Sequence, residues 1–335
     1  MELSVLIPAR NEEFLRNTVE DIAAHKEAET EVIAVFDGEW IDPPIPQLPD
    51  VNILYVPKSI GQRAATNMAC RLSRAKYVMK CDAHCSFDQG FDRKMIEAFQ
   101  RAGDNVTMVP VMKNLHVFNW RCHRCGWWKY QGPKPDRCGS CKDSRFIRRK
   151  MVWKPKRRTY NYSYCFDAEP HFGYFKEYNR RPEFEEALEK TGLTETMSLQ
   201  GSCFMLTREK YWELNICGEE LGNWGNQGIE VACKTWLSGG KVLANHATWY
   251  AHMFRTQTGF SFPWGMSGRE TQKTKENVKN LLWNNKFDKQ IYPVSWLVEK
   301  FWPIPANDKH RGWTDADLER LKQHERELKS QLQTK

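Results

Sequence analysis

Apolar runs and amphipathic stretches alternate through the first hundred residues, and this alternation narrows the possible folds more than any other feature of the chain. Residues 3–7 are apolar, residues 12–25 read as a helix, and a second apolar run at 31–36 closes on Asp37 and Gly38. Strand, helix, strand is the unit of a parallel sheet, because parallel neighbours need a crossover and a helix supplies it. A Pro-rich connection (Pro43, Pro44, Pro46, Pro49) leads to a strand at 51–56, a helix opened by Gly61, and a strand at 77–81. A helix over 89–101 and a strand over 106–111 follow. The pattern then breaks into a cysteine-rich basic segment and resumes with a strand at 199–206, a helix at 227–238 and a strand at 241–244. From Thr314, an N-cap residue, a last helix is expected, anchored by Leu318, Leu321 and Leu328. The expected class is α/β, with a mostly parallel sheet flanked by helices.

Ligands of open α/β sheets gather at the carboxyl ends of strands, which singles out Asp37 and Asp82. Asp82-Ala83-His84 sets an acid at a strand end with an imidazole two residues on, a donor pair suited to Mn²⁺ or a similar divalent ion. A strand-end aspartate capping a turn beside a surface histidine would read the same way.

Hydrophobic residues make up 41% of the chain and aromatics 13%, a globular balance, and no run approaches the ~18 apolar residues of a membrane span. The first residues lack a basic n-region and a small-residue cleavage site. Eleven cysteines, an odd number with seven of them scattered, suit a reducing compartment, so a cytoplasmic location is expected.

Two pairs break that scatter. Cys122 and Cys125, then twelve residues, then Cys138 and Cys141, have the two-knuckle spacing of a tetrathiolate zinc ribbon, with Gly126 and Gly139 easing the turns. His123 is a possible substitute ligand. Residues 121–158 hold fourteen Lys and Arg against two Asp, a net +12, so the remainder of this +8 chain is net negative. Cations interleaved with Phe146, Trp153, Tyr160, Tyr162 and Tyr164 predict that residues 121–164 grip a nucleic acid or other polyanion. The plainer reading is an insertion that zinc merely stabilises.

Several motifs, in order, resemble the GT-A glycosyltransferases, and specifically the catalytic domain of the polypeptide N-acetylgalactosaminyltransferases. Val5-Leu6-Ile7-Pro8-Ala9-Arg10-Asn11-Glu12 is similar to their opening strand and nucleotide-contacting turn. Val35-Phe36-Asp37-Gly38 is similar to the second strand with its base- or ribose-binding acid, and Asp82-Ala83-His84-Cys85 to their Asp-x-His. The segments at 201–206, 224–230, 236–240, 252–255 and 262–265 continue the series. The resemblance implies a metal-dependent glycosyltransferase of hexosyltransferase type, using a UDP-sugar donor and Mn²⁺ or Mg²⁺. Its metal ligands would be Asp82, His84 and His252, with His246 a rival for the third place. Donor-binding residues would be Pro8, Arg10, Glu12, Asp37, Gly61, Arg63, Asp82 and Trp224, beneath a covering loop over 254–265. Arg255 would meet the pyrophosphate.

The family has an acid where Gln227 stands, so its sugar-contacting carboxylate is missing. Glu230 is the acid that remains, orienting the acceptor hydroxyl or touching the sugar, or else only favouring a helix N-terminus. Four parts are expected: a nucleotide-sugar-binding half (1–115), a zinc ribbon and basic insertion (116–165), an acceptor-side half (166–275) and a helical extension (276–335). With the basic segment, these expectations point to a hydroxymethylated base in DNA, as in phage, as acceptor, and the aromatics over 160–178 could receive a flipped base. Protein Ser/Thr or a polysaccharide is the alternative acceptor, and a non-catalytic nucleic-acid-binding protein on a transferase fold is the alternative class.

Overall fold

The computed structural model describes residues 1–157, 159, 162–255, 259, 261–263, 265, 267–306 and 310–333. Arg158 and Tyr160 of the basic segment, and residues 256–258, 260 and 264 of the expected covering loop, lie outside the described residues.

The strands are β1 (Leu3–Ala9), β2 (Thr30–Asp37), β3 (Val51–Val56), β4 (Tyr77–Cys81), β5 (Cys85–Phe87), β6 (Val106–Cys122), β7 (Trp128–Tyr130), β8 (Ile147–Pro155), β9 (Tyr164–Phe166), β10 (Phe172–Tyr174), β11 (Leu193–Glu195), β12 (Cys203–Thr207) and β13 (Lys241–His252). The helices are α1 (Leu15–His25), α2 (Gln62–Leu72), α3 (Phe91–Ala102), α4 (Pro182–Thr191), α5 (Arg208–Glu213), α6 (Gln227–Leu237), α7 (Gly268–Trp283), α8 (Val294–Lys300) and α9 (Asp315–Gln333). The main sheet runs β11-β13-β6-β12-β4-β1-β2-β3. β1 is parallel to both β2 and β4, β2 to β3, and β13 to β6, while β12 and β11 run antiparallel to their neighbours.

Helices cover both faces, so the central strands read as continuous apolar runs rather than alternating ones. Along β1, Leu3, Val5 and Ile7 enter one core and Leu6 the other, all fully buried. Thr314 caps α9 as expected: its hydroxyl accepts from Asp317 N–H, and the Asp317 carboxylate accepts from Thr314 N–H at 3.2 Å.

Two strands run further than the sequence patterns suggested. β6 continues past residue 111 to Cys122, and its second half leaves the main sheet to pair with β7 and β8 as a projecting arm. β13 continues past residue 244 to His252, with a register shift between Asn245 and Trp249. Pro110 faces Asn245 at that point. Proline has no N–H for the ladder, so pairing slips there and resumes at Trp249 opposite Val111. The slip looks like two strand ends in sequence, yet it is what carries His252 to the far end of the sheet.

Candidate active site

A cleft of about 660 Å³ opens at the carboxyl ends of β1, β2 and β4. Pro8 lies near the end of β1, Arg10 and Glu12 follow it, Asp37 ends β2, and Asp82 and His84 follow β4; all line the cleft. Trp224, Gln227, His252 and Arg255 face them from the later half of the chain.

Two chain segments bring one carboxylate and two imidazoles to a single point. His84 Nε2 lies 3.1 Å from His252 Nε2, which lies 3.2 Å from Asp82 Oδ2, and one ligand atom from each residue falls within 4.8 Å of the others. Burial opposes charge on Asp82, but the Lys80 ammonium and the two histidines outweigh it and hold the carboxyl well below the usual carboxylate range. Lys80, itself buried, touches Asp82 and donates to Gly201 O at 2.6 Å. Burial drops His252 to about 4, so the ring is neutral at pH 7 with a lone pair to offer. His252 Nδ1 finds no hydrogen-bond partner among the described residues. If the two neutral imidazoles share one proton between their facing nitrogens, Asp82 Oδ2 receives none from His252, whereas a divalent cation takes a lone pair from all three, so the donor set fits such an ion.

Glu12, only 3% exposed, lies directly behind this cluster. Its Oε2 accepts from Arg255 Nη2 at 2.8 Å and sits 3.3 Å from His84 Nδ1. Burial alone would raise its pKa, but His84 and Arg255 pull it below its ordinary value. Glu12, expected at the nucleotide, lines the cleft and is also joined to a histidine and an arginine of the site. Arg255 also donates to Ser261 O at 3.2 Å, and Asn11 Nδ2 to Pro263 O at 3.0 Å, so the turn after β1 holds the described part of the 254–265 loop.

Asp37 accepts from Ser59 Oγ and from the N–H groups of Ile60 and Gly61. Three of the ~4 bonds a carboxylate accepts are thus used to shape one cleft wall. Gly61 belongs to that wall: its φ is +89°, and a Cβ there would lie 2.8 Å from Asn223. Trp224 stands edge-on to Phe262, 5.8 Å between centroids. Gln227, at the N-terminus of α6, accepts from Gln62 Nε2 and donates to Cys217 Sγ.

Three expected residues lie elsewhere. Arg63 and Glu230 do not line the cleft; they form a buried ion pair at 2.8 Å, and Lys234 binds the other Glu230 oxygen at 2.8 Å. A buried carboxylate between two cations is satisfied within the protein, which leaves Glu230 no free face for an acceptor. Arg63 donates to the carbonyls of Gly222 and Gly225, and so fixes the loop that presents Trp224. His246 lies away from the cluster, bonded to Thr194 Oγ1 and packed against Tyr162 and Phe184. Sequence reading passed over Lys80, although a lysine inside the apolar run Tyr77–Cys81 was a visible signal of a buried partner.

In the arm, Cys122, Cys125, Cys138 and Cys141 converge, with Sγ separations of 3.7 Å (Cys122 to Cys141) and 3.4 Å (Cys125 to Cys138). All eleven cysteines are free thiols. The arm's basic side chains divide into two sets. Arg124 and Arg145 share Asp143, and Arg149 pairs with Glu13 at 2.6 Å while lying over the rings of Phe14 and Phe118. Arg121, Lys150 and Lys154 have no acidic partner among the described residues.

No helix of the described residues is long and apolar enough to cross a membrane. Polypeptide N-acetylgalactosaminyltransferase 3 of Drosophila melanogaster is 23% identical over 215 residues, which is 51% of this chain and 32% of that protein. Putative polypeptide N-acetylgalactosaminyltransferase 13 of the same fly is 24% identical over 233 residues, 70% of this chain and 33% of its own length. The chain therefore spans about a third of the length of these two curated relatives. A crystal structure of GalNAc-T7 with UDP, GalNAc and Mn²⁺ superposes with a TM-score of 0.55 at 16% identity, over 84% of this chain and 48% of that one, and the shared fold is the GT-A fold. Glycosyl transferase family 2 matches residues 4–214, more than half of the sequence, and the chain belongs to that family.

Proposed function

We propose that this protein moves a sugar from a UDP-sugar donor to a hydroxyl acceptor, with a divalent cation held by Asp82, His84 and His252. The observation that carries this reading is the convergence of those three ligand atoms within 4.8 Å on the wall of a 660 Å³ cleft. A cation bound there supplies Lewis-acid neutralisation of the diphosphate leaving group. Arg255 offers a fork-shaped donor to the same charge, with Glu12 fixing its plane. Pro8, Arg10, Asp37, Gly61 and Trp224 form the donor's walls. Gln227 presents a neutral amide where the family has an acid, so it recognises the sugar by hydrogen bonding rather than by charge.

The four cysteines hold a structural zinc ion. A tetrahedron with ~2.3 Å Zn–S bonds has edges of about 3.8 Å, close to the sulfur separations in the arm. The acceptor is a polyanion gripped by the arm, and DNA bearing hydroxylated bases is the form its mixture of cations and aromatics favours. Protein hydroxyls are the second reading, on the strength of the relatives' names.

The test is UDP release from a panel of UDP-sugars with and without Mn²⁺, followed by mass analysis of hydroxyl-bearing DNA and peptide acceptors. Mn²⁺-dependent release lost in Asp82→Ala supports the proposal. No release from any donor would favour a non-catalytic binding protein.

A further inference from the structure

A second concavity lies at the root of the arm, lined by Arg121, Cys122, His123, Gly126, Arg149 and Lys150, with a volume of about 510 Å³. No acid lines it. Arg121 stands directly opposite Arg148 across the β6–β8 ladder, and Lys150 is opposite Asn119. Like charges facing each other across strands are destabilising, and neither Arg121 nor Lys150 has an acidic partner among the described residues. Arg124 and Arg145, a few residues away, are neutralised by Asp143. The fold therefore pairs some of the arm's charge, and two of the cations it leaves unpaired, Arg121 and Lys150, meet in one concave place, where low-dielectric walls focus their field.

The neighbouring aromatic identifies what kind of anion fits. Trp128 on β7 is in register with Arg121 on its other side and is 59% exposed, an unusual degree of exposure for a tryptophan. Cations in a recess with an open indole alongside make up the pairing that binds single-stranded nucleic acid, with phosphate in the recess and base on the ring. An acidic peptide would use the charges and leave the ring idle. We propose that Arg121, His123 and Lys150 bind one phosphodiester group of a single-stranded nucleic acid segment, and that Trp128 stacks on the adjoining base. This rests on the polyanion-acceptor reading above and specifies where on the arm that acceptor is held. Arg149 closes one side of the recess while paired to Glu13, the residue beside Glu12. A strand anchored in the recess therefore lies beside the side chain that ties the arm to the turn supporting the candidate metal site.

The experiment measures binding of a fluorescein-labelled 12-residue oligothymidylate to the zinc-loaded full chain by anisotropy across a KCl series. Arg121→Glu with Lys150→Glu should weaken binding at least about thirtyfold and flatten the log–log salt slope by about 1.4, since each cation displaced from single-stranded nucleic acid contributes ~0.7. Trp128→Ala should weaken it about tenfold and remove the tryptophan quenching that accompanies binding, in line with ~1–3 kcal/mol per stacked base. Lys129→Glu with Lys134→Glu applies the same charge change on the arm outside the recess and should cost threefold or less. Zinc content and thermal unfolding report whether each variant folds, and Arg121→Gln with Lys150→Gln replaces the reversal should it fail to. Equal weakening by the two double reversals, or polyglutamate competing as well as the oligonucleotide, overturns the proposal. UDP release by the unmodified protein without nucleic acid is scored separately: its absence defeats the transferase reading, whatever the oligonucleotide does.

Discussion

Glu12→Gln tests the candidate metal site without touching any of its three ligands. The single oxygen of the glutamine amide can take the place of Glu12 Oε2, so the 2.8 Å bond from Arg255 and the contact with His84 Nδ1 keep their shape and lose only the charge. The amide nitrogen falls where Glu12 Oε1 finds no partner among the described residues, so nothing new is made there. Two unit charges about 4 Å apart at an effective dielectric of ~20 interact by about 4 kcal/mol. Both groups are only 3–4% exposed, so little of this is screened, and the folded protein should lose about 2–4 kcal/mol on losing the ion pair. A carboxylate behind a ligating histidine also raises its basicity and fixes its tautomer, and its loss costs roughly ten- to a hundredfold in metal affinity. Mn²⁺ titration by calorimetry at pH 7, with chemical denaturation of the same samples, reads both effects. A folded Glu12→Gln protein that binds Mn²⁺ within twofold of the parent would refute the reasoning, because His84 would then be shown to need no orienting carboxylate.

Four further outcomes follow from the same geometry. Asp82→Asn should abolish Mn²⁺-dependent UDP release, at least about a thousandfold, while leaving the fold intact by circular dichroism, since a metal-bound carboxylate is replaced by a weak neutral donor. Glu230→Gln should cost about 3–5 kcal/mol in denaturant unfolding, because Arg63 and Lys234 are left as buried charges. The Glu230 carboxyl is held below its ordinary value by those cations against the opposing effect of burial, so its contribution is complete above that value and lost as pH falls through the folded one. His246 is pushed down to about 4 by burial; the unfolded chain gains a proton near 6.5 and the folded chain does not, so stability should climb with pH between these values. His246→Phe should flatten that climb and leave Mn²⁺ affinity unchanged, and a loss of affinity would restore it as a ligand. If the four cysteines hold zinc as proposed, atomic absorption should find about one equivalent in the parent and none in Cys138→Ser, which should also melt at a lower temperature; retained zinc would show that another group completes the site.

The parallel half of the fold was legible because a strand buried on both faces and a helix buried on one leave different periods, and residues 3–7, 31–36 and 77–81 carry them without interruption. Asp37, Asp82 and His84 could be found for the same reason, since strand ends are where such sheets place their ligands. The role of Glu230 was not legible. An acid in the first turn of a helix has the same sequence signature whether it faces a cleft or a buried arginine, and Arg63 lies 167 residues earlier in the chain. Glu12 was ambiguous in the same way: what distinguishes a nucleotide contact from a carboxylate supporting His84 is a 3.3 Å approach across 72 residues. Charge counts had a related weakness. They gave the arm's total correctly, but which cations Asp143 and Glu13 neutralise depends on strand register, and register is set by the structure.

Register also explains why the arm and the cleft form one mechanical unit. Leu115, Val117 and Phe118 of β6 share a small core with Phe14, which follows the Glu12 turn, and with Ala251 and Met253, which flank His252. Trp153 of β8 packs at the edge of that core and donates to Asp21 of α1 at 2.9 Å. Close-packed interiors transmit small shifts rather than absorb them. Any tilt of the arm about β6 therefore moves the backbone on both sides of one candidate metal ligand and beside the residue that supports another. A cysteine-rich insertion attached only by loops could be deleted without consequence for the cation; this one, continuous with β6 and packed against Phe14 and Met253, could not. Loss of the four-cysteine cluster should accordingly reach the cleft as weaker Mn²⁺ binding, through packing alone and with every ligand still in place.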